Sequence, residues 1–243
     1  GWVVMGVRVK VLSRAVDIDL TLLRAVEIVL SGAFAGGITP SYVGGEPVLV
    51  YLLGKENNSS GGKSTVVVFG GRALDIIFFI GVVLLSLLIL GNLFGRFVDV
   101  KWLLLGVAFI LSILAGVFYY SLYKPENIKK ALSYLEKPIE KIKPGMKNRM
   151  DREIDSFHEN LWFLFTKHRM YFGIAFLCTI LFWTLEFSIP FILLKGIGSQ
   201  VDFLPAWIGY IVVIVVTMIP ITPGGSGFAE AGASVTYSAL TSI

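Results

Sequence analysis

The sequence has 243 residues, of which 55% are hydrophobic and 16% are charged, with a formal net charge of +4. A soluble domain carries roughly a quarter charged residues, so a mean hydropathy of +0.77 excludes that class and indicates an integral membrane protein. The single cysteine, Cys178, excludes an internal disulfide, and His158 and His168 have no partners at ligand spacing. We therefore expect no metal, no cofactor and no nucleic-acid partner.

The chain opens on Gly1 without a secretory signal and stops at Ile243 inside an apolar stretch, so we expect a piece of a longer protein. A weakly apolar stretch, Leu20–Ile38, follows the basic segment RVKVLSR at residues 8–14. If that stretch spanned the membrane, the basic segment would lie outside, against the positive-inside rule. The sequence therefore predicts that residues 20–53 form a re-entrant hairpin, with residues 8–14 facing the cytoplasm.

Longer apolar stretches follow along the chain. A helix needs about 20 residues to cross ~30 Å of hydrocarbon. Val66–Leu93, Trp102–Tyr123 and Tyr171–Leu194 meet that length, whereas Phe203–Pro220 is shorter and Phe228–Ile243 follows a break. The pattern predicts an all-α, polytopic transmembrane helix bundle with two broken or re-entrant hairpins.

A basic segment separates two groups of apolar helices. Eleven of the chain's 21 lysines and arginines lie between Lys124 and Arg169, where apolar residues recur at helical spacing. This pattern predicts a cytoplasmic amphipathic helical hairpin at 124–170 that turns at Pro144 and Gly145, between membrane regions 1–123 and 171–243 of one membrane domain. Its apolar stripes either pack on each other or on the membrane surface, or form a site for a cytoplasmic partner.

Two similar phrases, ITPSYVGGEP from Ile38 and ITPGGSGFAEAG from Ile221, interrupt the apolar helices. Broken backbone survives in a membrane only where protein covers it or it lines a wet cavity. If the phrases are an inverted repeat, they meet near the membrane midplane, as in transporters. The alternative is that 203–220 spans and the second phrase lies at the surface. A helix starting near Gly227 would suit an anion, whereas the glycines alone could simply allow tight helix packing.

Ionisable residues within apolar spans are costly and mark candidate sites. Arg72 and Asp75 lie three residues apart and can form an ion pair, either at a site or at the membrane interface. Glu186 precedes Pro190 by four residues. Because proline has no backbone N–H, the Glu186 carbonyl lacks its helical hydrogen bond, and a carboxylate beside a free carbonyl indicates a wet or proton-accepting site. Glu230 either caps the helix after the second phrase or contacts a proton or a cationic headgroup.

These phrases, together with GGRALD at 70–75 and the basic segment, resemble the flippase-like transmembrane domain of lysylphosphatidylglycerol synthases from about Ala25 onward. The resemblance implies binding or translocation of an anionic or aminoacylated lipid. Members of that family often carry an arginine shortly after the Gly-Gly-acid phrase, where this chain has Leu49. The resemblance and the spacing arguments together give these candidate headgroup-binding residues: Thr39, Pro40, Gly44, Gly45, Glu46, Arg72, Asp75, Glu186, Thr222, Pro223, Gly224, Gly225, Gly227 and Glu230.

The sequence has no Ser-His-Asp grouping, P-loop or dinucleotide fingerprint, which gives no support for a catalytic centre. We expect a multi-pass cell-membrane protein that binds or translocates a phospholipid or a polyprenyl-phosphate lipid. One alternative is the membrane half of a lipid-modifying enzyme of the lysylphosphatidylglycerol synthase type, with its catalytic domain elsewhere. A second alternative is an anchor whose basic hairpin, 124–169, recruits a cytoplasmic partner. No pattern sets the oligomeric state.

Overall fold

A computed structural model describes residues 1–39, 44–56, 59–90, 146–217 and 227–241, with isolated positions between 105 and 116. Within these residues the structure is all-helical, without strands, which confirms the predicted fold class. Most of the predicted span Trp102–Tyr123 and the first half of the basic hairpin lie outside the described residues. The helices are α1 (Trp2–Ala15), α2 (Leu22–Gly37), α3 (Gly45–Lys55), α4 (Gly61–Leu90), α5 (Met146–Thr166), α6 (Arg169–Gly196), α7 (Phe203–Thr217) and α8 (Phe228–Thr241).

The first helix, α1, lies at the centre of the packing, against α2, α4 and α6. Its buried face repeats at helical spacing through Val9 and Leu12, and Gly6 lets α2 approach so closely that an added Cβ would clash with Val26. Arg8 lies on this same buried face. Within the segment at residues 8–14, Arg8 is thus buried and Arg14 is exposed, and the side of the membrane that the segment faces stays a prediction.

The next two helices, α2 and α3, pack together as a hairpin around the first Ile-Thr-Pro phrase. Thr21 begins α2 by accepting a hydrogen bond from the Arg24 backbone N–H at 3.2 Å, as an N-cap residue does. Helix α2 ends at Gly37, before the phrase, and α3 begins at Gly45 with Gly44 as its N-cap residue. The predicted hairpin at 20–53 is thus present as two helices, and its depth in the membrane stays a prediction.

In the described part of the chain, α4 and α6 contain the stretches that are long and apolar enough to cross a membrane. The stretch in α4 is 67% buried inside the protein, whereas the stretch in α6 is only 17% buried. Met170, Leu177 and Leu181 are among the large apolar residues that α6 leaves exposed. Within the described residues, α4 is therefore the more deeply buried of these two helices. Pro190 lies inside α6 without ending it.

The amphipathic helix α5 packs its apolar stripe against the start of α4. Leu161 and Leu164 are fully buried, and the Phe157 ring meets the Phe69 ring edge-on at 5.6 Å between centroids. The Gly62 backbone N–H donates to the Glu153 carboxylate at 2.6 Å. The apolar stripe of this half of the basic hairpin is therefore used inside the protein.

The described residues bury two apolar clusters. The larger cluster joins helices α1 to α5 with the start of α6. The smaller is aromatic, with Phe78, Phe187 and Trp207 packed between α4, α6 and α7, and α8 packs on α7. Since α4 contributes to both clusters, side chains near its middle are held from several sides.

Candidate functional site

Helices α1 to α4 surround a cavity of about 190 Å³. The polar side chains on its wall are Arg8, Glu46 and Arg72. The apolar side chains on its wall include Trp2, Met5, Leu12, Val29, Leu49 and Leu53. Apolar walls with a few convergent charged groups are the usual lining of a small-molecule site, and about 190 Å³ is enough for a small polar group rather than for a whole lipid.

An ion pair between Glu46 and Arg72 lies on the wall of this cavity. Glu46 is in the first turn of α3, where the free backbone N–H groups stabilise a negative charge. Arg72 Nη2 donates to Glu46 Oε1, yet the Arg72 side chain remains 53% exposed. Two residues that are 26 positions apart and belong to different sequence motifs are thus brought together, with Arg72 accessible to a ligand.

Asp75 lies one helical turn beyond Arg72 and is buried, with a side chain 9% exposed. Its Oδ1 accepts hydrogen bonds from Arg8 Nη1 at 2.6 Å and from Trp183 Nε1 at 2.9 Å. Its Oδ2 accepts from Arg8 Nη2 at 3.4 Å and from Arg72 Nη1 at 3.5 Å. The predicted pair of Arg72 and Asp75 is present, but the shortest contact of the carboxylate is with α1. Asp75 therefore links α1, α4 and α6.

Arg8 is the site residue that the sequence analysis missed. Its side chain is 5% exposed, and Nη1 also donates to Thr179 Oγ1 at 3.1 Å. Gly71 makes room for it, since an added Cβ would lie 3.4 Å from Arg8 Nη2. A signal was available, because Arg8 shares a helical face with Met5, Val9 and Leu12. A charge on an apolar helical face indicates a buried partner.

In the first Ile-Thr-Pro phrase, the structure places Thr39 and the glycines in packing roles. Thr39 Oγ1 lies 2.9 Å from Ala35 O, to which it donates, and accepts from the Gly44 backbone N–H at 2.9 Å. A Cβ on Gly45 would lie 2.9 Å from the Gly32 carbonyl oxygen, so the residue allows close approach of α2 and α3. Gly45 also contributes to the cavity wall. Pro40 lies outside the described residues.

The second phrase is described only from Gly227 onward, and Thr222, Pro223, Gly224 and Gly225 lie outside the described residues. Gly227 has φ +85°, a conformation that favours glycine. Its backbone N–H donates to Glu230 Oε2 at 2.6 Å, in the manner of a capping box, and α8 begins at the next residue. The predicted helix start near Gly227 is confirmed, and Glu230 caps it.

Glu186 lies half-buried on α6 and does not contribute to the wall of this cavity. Its carboxylate lies against the start of α1, since a Cβ added to Gly1 would clash with Glu186 Oε1. The structure thus brings together Glu46, Arg72, Asp75 and Arg8, and it leaves Glu186 and Glu230 apart from this cluster. The described residues contain no group of three or more acidic, histidine or cysteine side chains that could hold a metal ion.

Comparison with known proteins supports the family assignment. The family model described as lysylphosphatidylglycerol synthase TM region matches residues 1–242. A UPF0104 membrane protein of Archaeoglobus fulgidus is 28% identical over 245 residues, covering 98% of this chain and 72% of the relative. One of Pyrococcus horikoshii is 26% identical over 248 residues, covering 98% and 73%. One of Methanothermobacter thermautotrophicus is 25% identical over 240 residues, covering 95% and 70%. No solved structure matches the chain.

Proposed function

We propose that this chain, which belongs to the lysylphosphatidylglycerol synthase TM region family, is a flippase-like membrane protein. Its substrate would be an anionic or aminoacylated phospholipid or a polyprenyl-phosphate lipid, bound in the cavity between α1 and α4. The observation that carries this proposal is the ion pair of Glu46 and Arg72 on the wall of an apolar cavity.

The two parts of the cavity match the two parts of such a lipid. Apolar walls favour hydrocarbon, at roughly 25 cal/mol per Å² of apolar surface removed from water. Charged groups in a membrane protein are expensive unless they are paired or reach water, and they mark substrate pathways. Arg72 can exchange one of its acidic partners for a phosphate, because an arginine fork binds carboxylate and phosphate with similar geometry. Glu46 is then free to accept a cationic part of the headgroup.

The alternative, a membrane half of a lipid-modifying enzyme, is supported by the description of the matching family, which refers to a synthase. In that case the cavity would bind lipid and present it to a catalytic domain, without moving it across the bilayer. Binding and translocation must therefore be measured separately.

The test uses the purified chain in liposomes that contain fluorescent phosphatidylglycerol, with a membrane-impermeant quencher to follow translocation. Arg72→Gln should weaken lipid binding about tenfold to a hundredfold, because a hydrogen bond to a charged group contributes ~1.5–3 kcal/mol. Arg72→Lys should weaken it less, since it keeps the charge but loses the fork. Arg24→Gln is the matched control, because Arg24 is also a partly exposed, ion-paired arginine but lies off the cavity wall.

The proposal fails if Arg72→Gln binds and translocates phosphatidylglycerol as well as Arg24→Gln does. Binding that depends on Arg72, with no translocation in wild-type liposomes, would instead favour the synthase-type alternative. Thermal stability of each variant must be measured alongside, so that loss of binding is separated from loss of fold.

A further inference from the structure

Three consecutive basic residues, Lys167, His168 and Arg169, join α5 to α6 and are called the basic corner. Lys167 and Arg169 are exposed, and neither forms an ion pair within the part of the chain that the structure describes. The Lys167 ammonium lies over the Phe163 ring, 4.5 Å from its centroid. Two cations at the start of an apolar helix are thus accessible to a negatively charged partner.

The packing of α6 on α4 places the basic corner at one end of the bundle. Trp183 donates to Asp75, and these two residues lie equally far along their helices. Further along both helices, the rings of Phe78 and Phe187 are 6.1 Å apart between centroids. The two helices therefore run parallel, and α6 begins at the same level of the bundle as α4.

An exposed apolar stripe on α6 begins directly at the basic corner. Its members, Met170, Ile174, Leu177 and Leu181, recur at helical spacing and are between 39% and 69% exposed. They belong to a stretch that is long and apolar enough to cross a membrane. Cations followed at once by exposed apolar side chains match the order in which a phospholipid presents its headgroup and its tails.

The last turn of α5 adds a side chain that is typical of a membrane interface. The exposed positions of α5 recur at Arg152, Asp155 and Glu159 and continue to Trp162, which is 46% exposed. This face of α5 therefore changes from charged to aromatic close to the basic corner. Tryptophan is enriched where headgroups meet hydrocarbon, because its ring is apolar and its N–H is polar.

We propose that the basic corner binds an anionic phospholipid, with the headgroup phosphate against Lys167 and Arg169 and the tails along the α6 stripe. None of these residues lies on the wall of the cavity between α1 and α4, so the proposal does not rest on the proposed function. The bound lipid holds the junction of α5 and α6 at the membrane surface. A zwitterionic lipid carries its own cation, so the two basic side chains attract it less.

The test measures lipid selectivity beside the basic corner itself. The chain carries Cys178→Ala and Ile174→Cys, with a bimane label on the new thiol, in nanodiscs of phosphatidylcholine. Phosphatidylglycerol or phosphatidylcholine with a doxyl group on the same tail is added, and quenching of the label by each gives their relative association constant. Position 174 lies off the cavity wall, so a lipid in the cavity does not dominate the signal.

The main variant combines Lys167→Gln with Arg169→Gln in this labelled chain. Lys195→Gln is the matched control, because Lys195 also lies over a phenylalanine ring but belongs to the opposite end of α6. Arg72→Gln, measured in parallel, perturbs the cavity and leaves the basic corner intact.

We expect phosphatidylglycerol to be preferred about thirtyfold at position 174, since each Lys or Arg near the surface contributes ~1 kcal/mol to binding of anionic lipid. The double variant should lose this preference at an unchanged melting temperature, and Arg169→Gln alone should reduce it about fivefold. Lys195→Gln and Arg72→Gln should both retain it. Added salt should weaken the preference in the chain without these variants, because it screens exposed charges.

The proposal is overturned if both lipids quench the label equally at low salt, or if the double variant keeps the preference. It is also wrong if neither lipid quenches the label, because protein, such as a second copy of the chain, then covers the stripe. Loss of the preference in Arg72→Gln would assign it to the cavity instead of the basic corner. If the double variant does not fold, the salt dependence and Arg169→Gln decide, and a preference that neither changes contradicts the proposal.

Discussion

The contact between α4 and α5 at Gly62 gives a sharp test of the packing. A Cβ added to Gly62 would lie 2.6 Å from the Glu153 carbonyl oxygen, 2.8 Å from the Phe157 backbone nitrogen and 2.8 Å from Ser156 Cβ. Two of these atoms belong to the backbone of α5, so a rotamer change cannot relieve the clash. Gly62→Ala must therefore move α5 away from α4.

The expected size of the effect follows from two opposing terms. Overpacking a tight contact costs ~1–3 kcal/mol. Replacing glycine by alanine inside a helix gains roughly 0.5–1 kcal/mol, because alanine loses less backbone entropy on folding. The displacement also lengthens the hydrogen bond from Gly62 to Glu153 and loosens the burial of Leu161 and Leu164. The net change in unfolding free energy should be a loss of about 1–2 kcal/mol.

Gly81→Ala is the matched control on the same helix, since nothing lies within 4 Å of its added Cβ. It should leave stability unchanged or raise it by up to about 1 kcal/mol. Both variants are compared with wild type by unfolding in mixed detergent micelles, with limited trypsin digestion to report on release of α5. If Gly62→Ala is as stable as Gly81→Ala and α5 stays equally protected, the packing of α5 on α4 described here is wrong.

Four further substitutions, at three positions, separate packing from function. Gly45→Ala should destabilise the α2–α3 hairpin by ~1–3 kcal/mol, because its Cβ would lie 2.9 Å from Gly32 O, and equal melting curves for variant and wild type would contradict this. Glu186→Gln should impair lipid translocation without lowering the melting temperature, and an active, stable variant would remove Glu186 from the candidate site. Glu230→Ala should lower the free energy of unfolding by ~0.5–2 kcal/mol, because it removes the side chain that accepts from the Gly227 N–H. If Glu230 also contacts a headgroup, Glu230→Gln should alter the lipid preference or the pH dependence of lipid binding.

Much of the fold follows from local patterns in the sequence. The apolar stretches of α4 and α6 were predicted because each is long enough to cross a membrane as a helix. The hydropathy of such a stretch is sufficient to predict a helix there. The helix break before Phe228 was predicted from prolines and glycines, whose backbone preferences act locally. The pair of Arg72 and Asp75 was predicted because residues three apart lie on one helix face.

The parts that were missed depend on contacts between distant residues. The helix α1 was overlooked because Arg8, Lys10 and Arg14 read as a solvated basic segment, although their spacing also allows one buried face. Glu46 and Arg72 were each candidates, but only the packing of α3 on α4 shows that they form a pair. The role of α5 was left open because an amphipathic stripe does not specify which surface covers it.

The partnership of Arg8 with α4 and α6 has a consequence for how the chain is made. Asp75 follows Arg8 by 67 residues and Thr179 follows it by 171, so both partners are synthesised later. At 5–20 residues per second, Asp75 arrives roughly 3–13 s and Thr179 roughly 9–34 s after Arg8. During that interval α1 carries an uncompensated guanidinium, which opposes its entry into hydrocarbon. We therefore expect α1 to remain at the bilayer surface during translation. It should pack into the helix bundle only after α4 has been synthesised and Asp75 can pair with Arg8.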